Sequence, residues 1–401
     1  MQESGHTYTR NGSMYMCQSH LTVKAQRMNM RCCCVVVALK ALHLFSFSPT
    51  TTMESRKQSR RDVLLGFLAV HALMAPVVLV ILSLLAGLYY WPHTVLLAVI
   101  VPYYTYALVI DRRFMSTGAP WDFFRTNFVL FPYARRLLNL RLVGNSALEK
   151  MEQSPTETSA SSKTTTSNPS EAKAKSCSSK TPPQYILGVF PHGLNADFRV
   201  LADGLLPEIL PQSGHKVRSL AATVLFAIPI VREVALWTGC VDASKDVARR
   251  NLRNGLSLLI MPGGQQEQLR TTHGKELVYL QRRKGFVKLA IEFGVPLVPV
   301  YVFGANDMYQ TSHFALSTRL TLLKYLGISW TLGRGLCGSP YCPLPVDITM
   351  VFGEPIMVQQ MEKPSPEVVE DAHAQFVAAL QQLFDKHKAS LGYGDRTLEI
   401  M

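Results

Sequence analysis

The apolar run Tyr185–Val189 is closed by Phe190-Pro191-His192-Gly193. A strand that stops on Pro-His-Gly holds an imidazole at a rigid, exposed sheet edge, where it can take a proton from a bound hydroxyl. Such a base suits acyl transfer to an alcohol. Taken alone, the tripeptide reads as readily as a loop histidine in a Pro/Gly turn. A base of this kind requires an acid that fixes its tautomer, and two are within reach. Asp197 follows after four intervening residues, and Glu267 ends Pro262-Gly263-Gly264-Gln265-Gln266-Glu267, where the glycine pair allows close backbone approach and offers amide hydrogens. Either acid also has a plain reading, Asp197 as a helix N-cap or surface acid and Glu267 as a solvated loop acid. Pro191, Gly193, Gly263 and Gly264 are candidate substrate contacts. Arg282-Arg283-Lys284 open an apolar helix, where three cations oppose the macrodipole and require a counter-anion, either cofactor phosphates or anionic lipid. Arg232-Glu233, after Pro229, reads as a structural ion pair in apolar surroundings.

These residues need a frame. Apolar runs at 185–189, 256–261, 296–303 and 348–352 read as buried strands, with a helix over 283–293 between two of them. A last helix starts at Ser365 as N-cap with Pro366 in its first turn, runs to about Ser390, and puts Val369, Phe376, Leu380, Leu383 and Phe384 on one core face. The class is α/β, a mixed sheet flanked by helices, over residues 184–401.

Upstream, the run from Val63 to Leu88 and the run from Thr94 to Ile110 flank Tyr89-Tyr90-Trp91-Pro92-His93. Residues 62–111 therefore predict a transmembrane or re-entrant helical hairpin with an aromatic interfacial turn. Arg56, Lys57, Arg60 and Arg61 precede it and Arg112-Arg113 follow, so the positive-inside rule places both ends in the cytosol. Residues 112–150, with Trp121, Phe123, Phe124, Phe128 and Phe131, predict an amphipathic membrane-surface segment. Residues 1–61 carry nine Lys or Arg against Glu3 and Glu54 and fit a disordered basic arm or a transit peptide, with Met53 as an alternative start. The Ser/Thr/Lys-rich stretch 151–183 has too little apolar surface to offset chain entropy and reads as a disordered linker.

Composition narrows the class further. Across 401 residues, 48% are hydrophobic, 17% are charged and the formal net charge is +13, which favours membranes and anionic partners. No zinc-finger spacing or RNA-binding signature points to nucleic acid. The eight cysteines have no disulfide-framework spacing, so reduced thiols are expected, and Cys32-Cys33-Cys34 is a palmitoylation candidate. A lipase would need a nucleophilic elbow such as G-x-S-x-G, and none occurs.

In chain order, Pro191-His192-Gly193, Pro229 with Arg232-Glu233, Gly263-Gly264 with Glu267, Arg283-Lys284-Gly285-Phe286, Pro296–Val300, Phe303-Gly304, Gly333-Arg334-Gly335, Gly353-Glu354-Pro355-Ile356 and Leu383–Lys388 resemble the type-2 diacylglycerol acyltransferase family. The resemblance covers about the last 220 residues. It implies a glycerolipid-acyltransferase-like fold, acyl-CoA as co-substrate and diacylglycerol as acceptor, with no metal or other cofactor. By the same resemblance His192 is the catalytic base and Glu267 matches a family acid, while monoacylglycerol or long-chain alcohol are alternative acceptors. A non-catalytic lipid-binding protein of the same fold is the competing class. The implied site is the endoplasmic reticulum membrane and the lipid droplet, with a plastid location and a homo-oligomer left open. Two departures stand out: Phe190 replaces a frequent second histidine, and Ala305, Asn306 and Asp307 follow Phe303-Gly304 where the family usually has Glu. Asp197 is similar instead to the acid of the His-x4-Asp pattern in wider glycerolipid acyltransferases.

Overall fold

The computed structural model describes residues 58–153 and 183–401. The basic arm up to residue 57, the cysteine triplet and most of the expected linker lie outside the described residues.

A seven-stranded sheet has the order β1 (Arg141–Val143), β10 (Thr349–Phe352), β7 (Leu297–Phe303), β2 (Ile186–Phe190), β5 (Ser257–Ile260), β3 (Val217–Ala221), β4 (Cys240–Asp242). The five strands from β7 to β4 run parallel, while β10 is antiparallel to β7 and pairs in parallel with β1. Every residue of β2 and β7 is buried, because both faces of a parallel sheet are covered and its strands are continuous apolar runs. Along β2 the side chains alternate: Leu187 and Val189 enter one core, Ile186 and Phe190 the other. The strands read from sequence at 185–189, 256–261, 296–303 and 348–352 are β2, β5, β7 and β10.

Helices cover both faces. On the second, α9 (Gly285–Phe293) and α11 (Pro366–Lys388) pack Phe286 edge-on against Phe376 at 4.9 Å. Ser365 caps α11, its hydroxyl accepting from the Val368 N–H at 3.4 Å, and the five residues assigned to its core face are buried. Beyond α11, β11 (Leu398–Ile400) pairs with β6 (Glu276–Val278).

Helix α1 (Arg60–Tyr90) and the helical segment Pro92–Ile110, of mixed α and π turns, are long and apolar enough to cross a membrane. They meet at Trp91, where Tyr89, Tyr90 and Trp91 are exposed. The first turns of α1 dock on α3 (Phe131–Leu137), and a Cβ on Gly66 would meet the Leu137 Cβ at 2.6 Å. The rest of α1 has no buried residue.

Residues 112–150, expected as an amphipathic membrane-surface segment, pack one side of that segment into the domain. Phe114, Phe124, Phe131, Leu137 and Leu148 are buried in the domain, while Trp121, Phe123, Val129 and Val143 are exposed. Their aromatic rings find each other and Trp237, with Phe124 to Trp237 at 5.1 Å and Phe124 to Phe131 at 5.3 Å, so the aromatics close a core. The same segment supplies Arg125, whose Nε donates to buried Asp203 at 2.6 Å.

Candidate functional site

The parallel strands deliver their next residues to one sheet edge: His192 follows β2, Gly263 and Glu267 follow β5, and Gly304-Ala305 follow β7. Open α/β sheets bind ligands at this carboxyl edge. Gly193 has φ +68°, and a Cβ there would meet the Ala305 carbonyl oxygen at 2.9 Å. Only glycine lets the His192 turn pass so close to the end of β7.

His192 keeps part of its surface open, yet protein surrounds the ring, and this burial pushes its pKa below the ordinary 6.5. Nδ1 lies 3.1 Å from the Gly193 carbonyl. A carbonyl only accepts, so Nδ1 carries the hydrogen and Nε2 holds the lone pair. Among the described residues, no hydrogen bond reaches Nε2 or joins either candidate carboxylate to the imidazole.

Both acids are used elsewhere. Glu267, in α8 (Gly264–Arg270), is buried and accepts from two backbone amides, the His192 N–H through Oε1 and the Tyr279 N–H through Oε2 at 2.7 Å. It grips the His192 peptide and leaves the ring alone. Burial raises its pKa to about 7 against the pull of those two amides. Gly263 makes room for it, since a Cβ there would meet Glu267 Oε2 at 2.1 Å. The Gly264 amide is spent on the Met261 carbonyl at 3.0 Å and offers substrate nothing. Asp197 begins α5 (Asp197–Ala202) and accepts from the Tyr309 hydroxyl at 2.5 Å, while burial lifts its pKa to about 6. Pro191 is buried beside His192, and Phe190 is core, facing Phe376.

A pocket of about 350 Å³ opens beside the ends of β3 and β5. Arg282, Arg283 and Lys284 line it together with Lys245 and Arg249 of α7 (Lys245–Arg253) and Lys288 of α9. Glu292 is the lone acid in its wall and pairs with Arg249 at 2.9 Å. Lys284 pairs with Glu370 of α11. Arg283 lies over the Tyr279 ring, 5.0 Å from its centre, so Tyr279 joins the cationic wall to the carboxylate that holds the histidine loop.

Residues 173–401 match the family model described as diacylglycerol acyltransferase. The chain belongs to that family. It is 35% identical to human 2-acylglycerol O-acyltransferase 3 over 226 residues, 52% of this chain and 65% of that protein. To diacylglycerol O-acyltransferase 2 of Dictyostelium discoideum it is 29% identical over 339 residues, 80% of this chain and 90% of that protein. Human diacylglycerol O-acyltransferase 2 is 33% identical over 223 residues, 52% of this chain and 58% of that protein. Among solved structures, the 1-acyl-sn-glycerophosphate acyltransferase PlsC of Thermotoga maritima aligns with a TM-score of 0.37 and 14% identity, covering 81% of this chain and 96% of that one.

In this diacylglycerol acyltransferase family member, sequence reasoning missed Tyr279, Tyr309, Lys245, Arg249 and Lys288. The i,i+4 spacings of Lys245 with Arg249 and of Lys284 with Lys288 were the available signal, since each places two cations on one helix face. The tyrosines gave no signal, because their roles depend on which strand ends are neighbours.

The lowered pKa of His192 fixes a sign. The ring stays neutral, and Nε2 basic, down to its depressed pKa, and protonates below it. The acid limb of kcat/KM against pH is therefore expected to have its midpoint below 6.5, and to keep it in Asp197→Asn. A midpoint near 7 would assign the limb to Glu267 ionisation instead.

Proposed function

We propose that this chain is an acyl-CoA:diacylglycerol O-acyltransferase that makes triacylglycerol at the endoplasmic reticulum membrane and the lipid droplet. The observation that carries this reading is the family match over 173–401, with His192 inside it presenting an unengaged Nε2 at the carboxyl edge of the sheet. The two apolar helices are read as a hairpin that spans the bilayer with both ends cytosolic. Diacylglycerol then reaches the site laterally and acyl-CoA from the cytosol, in a fold of the glycerolipid-acyltransferase kind.

His192 Nε2 takes the acceptor hydroxyl proton as that oxygen attacks the thioester carbonyl. The C–O bond forms, the C–S bond breaks, and the imidazolium returns the proton to the thiolate. Glu267 holds the His192 backbone through the reaction. The six cations of the pocket hold the phosphates at the far end of the carrier, where multivalent anions gain most from clustered guanidinium and ammonium donors.

The similarity to human 2-acylglycerol O-acyltransferase 3 makes monoacylglycerol the second acceptor to weigh. Incorporation of labelled oleoyl-CoA by membranes holding the wild type, with diacylglycerol, monoacylglycerol and a fatty alcohol supplied separately, tests the proposal. Triacylglycerol as main product is expected, and no ester from any acceptor would defeat it. For the pocket, Lys245→Glu with Lys288→Glu is expected to raise the KM for acyl-CoA about tenfold with kcat nearly unchanged. An unchanged KM would remove the phosphates from the pocket.

A further inference from the structure

Between Thr311 and Gly333 the chain leaves the sheet on an excursion that adds almost nothing to the core. Its helix α10 (Leu316–Leu326) buries only Arg319 and Leu323. Around it Phe314 is 78% exposed, Tyr325 72%, Leu326 62% and Trp330 58%, and Ile328 is exposed as well. Isolated exposed apolar residues are ordinary, but this many on one short excursion mark an interaction face.

The face is held rigid. Buried Arg319 donates to the Phe314 carbonyl at 3.0 Å, the Ser312 carbonyl at 2.7 Å and the Trp330 carbonyl at 3.3 Å. One guanidinium thus ties both ends of the excursion together. Two short strands, β8 (Gln310–Thr311) and β9 (Gly333–Arg334), close its base, and Gln265 of α8 donates to the Gly327 carbonyl at 3.1 Å. The exposed side chains therefore stand on a fixed frame.

Two further observations say what covers it. No aspartate or glutamate occurs between Asp307 and Asp347, whereas Lys324 is exposed beside the Tyr325 ring. The segment after β9 also touches α1 where that helix leaves the domain. The second ring nitrogen of His71 lies 3.0 Å from the Ser339 hydroxyl, and Leu336 and Cys342 share a cluster with Val63, Phe67 and Val70. Above this level no residue of α1 is buried, and Leu79, Ile81, Leu82 and Leu85 are exposed. An acid-free, aromatic, cation-bearing surface at the height where a spanning helix emerges has the chemistry of an interfacial lipid contact.

We propose that Phe314, Tyr325, Leu326, Ile328 and Trp330 form a second membrane contact, dipping into the headgroup and upper acyl region of an anionic bilayer beside the hairpin. The inference rests on the hairpin spanning the membrane. The contact seats the domain with α8, and so the histidine site, close to the lipid surface.

The full chain is reconstituted in vesicles of phosphatidylcholine and phosphatidylserine whose acyl chains are brominated near the headgroup, and quenching of tryptophan fluorescence is read. The chain has four tryptophans. Wild type is compared with Trp330→Phe and, as the hairpin reporter, Trp91→Phe. The expected result is that each variant loses part of the quenchable signal. If Trp91→Phe loses quenching and Trp330→Phe quenches as fully as wild type, the hairpin is in the bilayer and this face is not, which overturns the proposal. If neither variant loses any, the spanning hairpin fails and the contact with it. Shielding of Trp330 that disappears on dilution of protein in lipid identifies a second copy as the occupant and also overturns it.

Discussion

Replacing His192 by alanine is expected to lower kcat for acyl transfer by about 10²–10⁴, with the KM for acyl-CoA little changed, because in the proposed mechanism it removes a proton acceptor used only as the hydroxyl attacks. The ring's recorded hydrogen bond is to its own neighbour, Gly193, and the contacts that hold the loop belong to its backbone: the His192 N–H to Glu267 and the close pass of Gly193 by Ala305. The variant should therefore fold, and an unaltered thermal transition alongside lost activity separates chemistry from collapse. Product at the wild-type rate from a well-expressed His192→Ala would take the residue out of the mechanism and favour a lipid-binding role for the fold. Glu267→Ala predicts a different pattern, since losing the carboxylate takes the acceptor from the His192 and Tyr279 amides and loosens the loop.

Arg232→Ala is expected to cost about 1–3 kcal/mol of stability, the usual result of removing a buried donor from acceptors that keep one other partner. Arg232 lies in α6 (Val231–Trp237) with its side chain 1% exposed. Its Nη2 donates to the Asp111 carbonyl at 2.9 Å and to the Asp111 carboxylate at 2.7 Å, and its Nη1 to Glu233 at 3.0 Å. Asp111 is the residue at which the second apolar helical segment ends. Losing the arginine strips the Asp111 carbonyl and one carboxylate contact of their donor next to a hydrophobic helix end, while the Asp111 carboxylate keeps Arg113 at 2.6 Å. Thermal unfolding in detergent is the measurement, with Arg232→Met in an Asp111→Asn background recovering much of the loss. A single variant within about 0.5 kcal/mol of wild type would show that solvent already reaches the pair.

Legibility of the fold followed burial. Strands β2, β5, β7 and β10 are apolar runs because sheet neighbours and helices enclose them. The strand β3 was not read because it carries Arg218 and Ser219, which the fold accommodates by sending the Arg218 Nε to the Thr117 carbonyl at 2.7 Å. Strands β1, β4, β6 and β11 are three residues each, too short for an alternating pattern to register. The site was half legible. His192 and its flanking Gly193 follow from local chain geometry, whereas the choice between Asp197 and Glu267 as its partner assumed that a carboxylate near the histidine must meet the ring. In the fold, Glu267 approaches from the β5 side and meets the backbone, and Tyr309, 112 residues along the chain, occupies Asp197. No local pattern encodes either encounter. The inward packing of the aromatics of 112–150 was not legible for a related reason: their partner Trp237 lies on a distant helix.

Tyr279 gives the two halves of the site a common hinge. Its amide anchors the carboxylate that grips the histidine loop, and its ring supports Arg283 in the wall of the cationic pocket. On the proposed mechanism, filling that pocket with the carrier's phosphates is expected to stiffen the His192 loop, so that the nucleotide end of the carrier does more than add grip. An acyl group offered on a short thiol would meet a slacker catalytic loop and turn over more slowly even at saturation, because remote binding energy is spent in this way on orientation at the reacting centre.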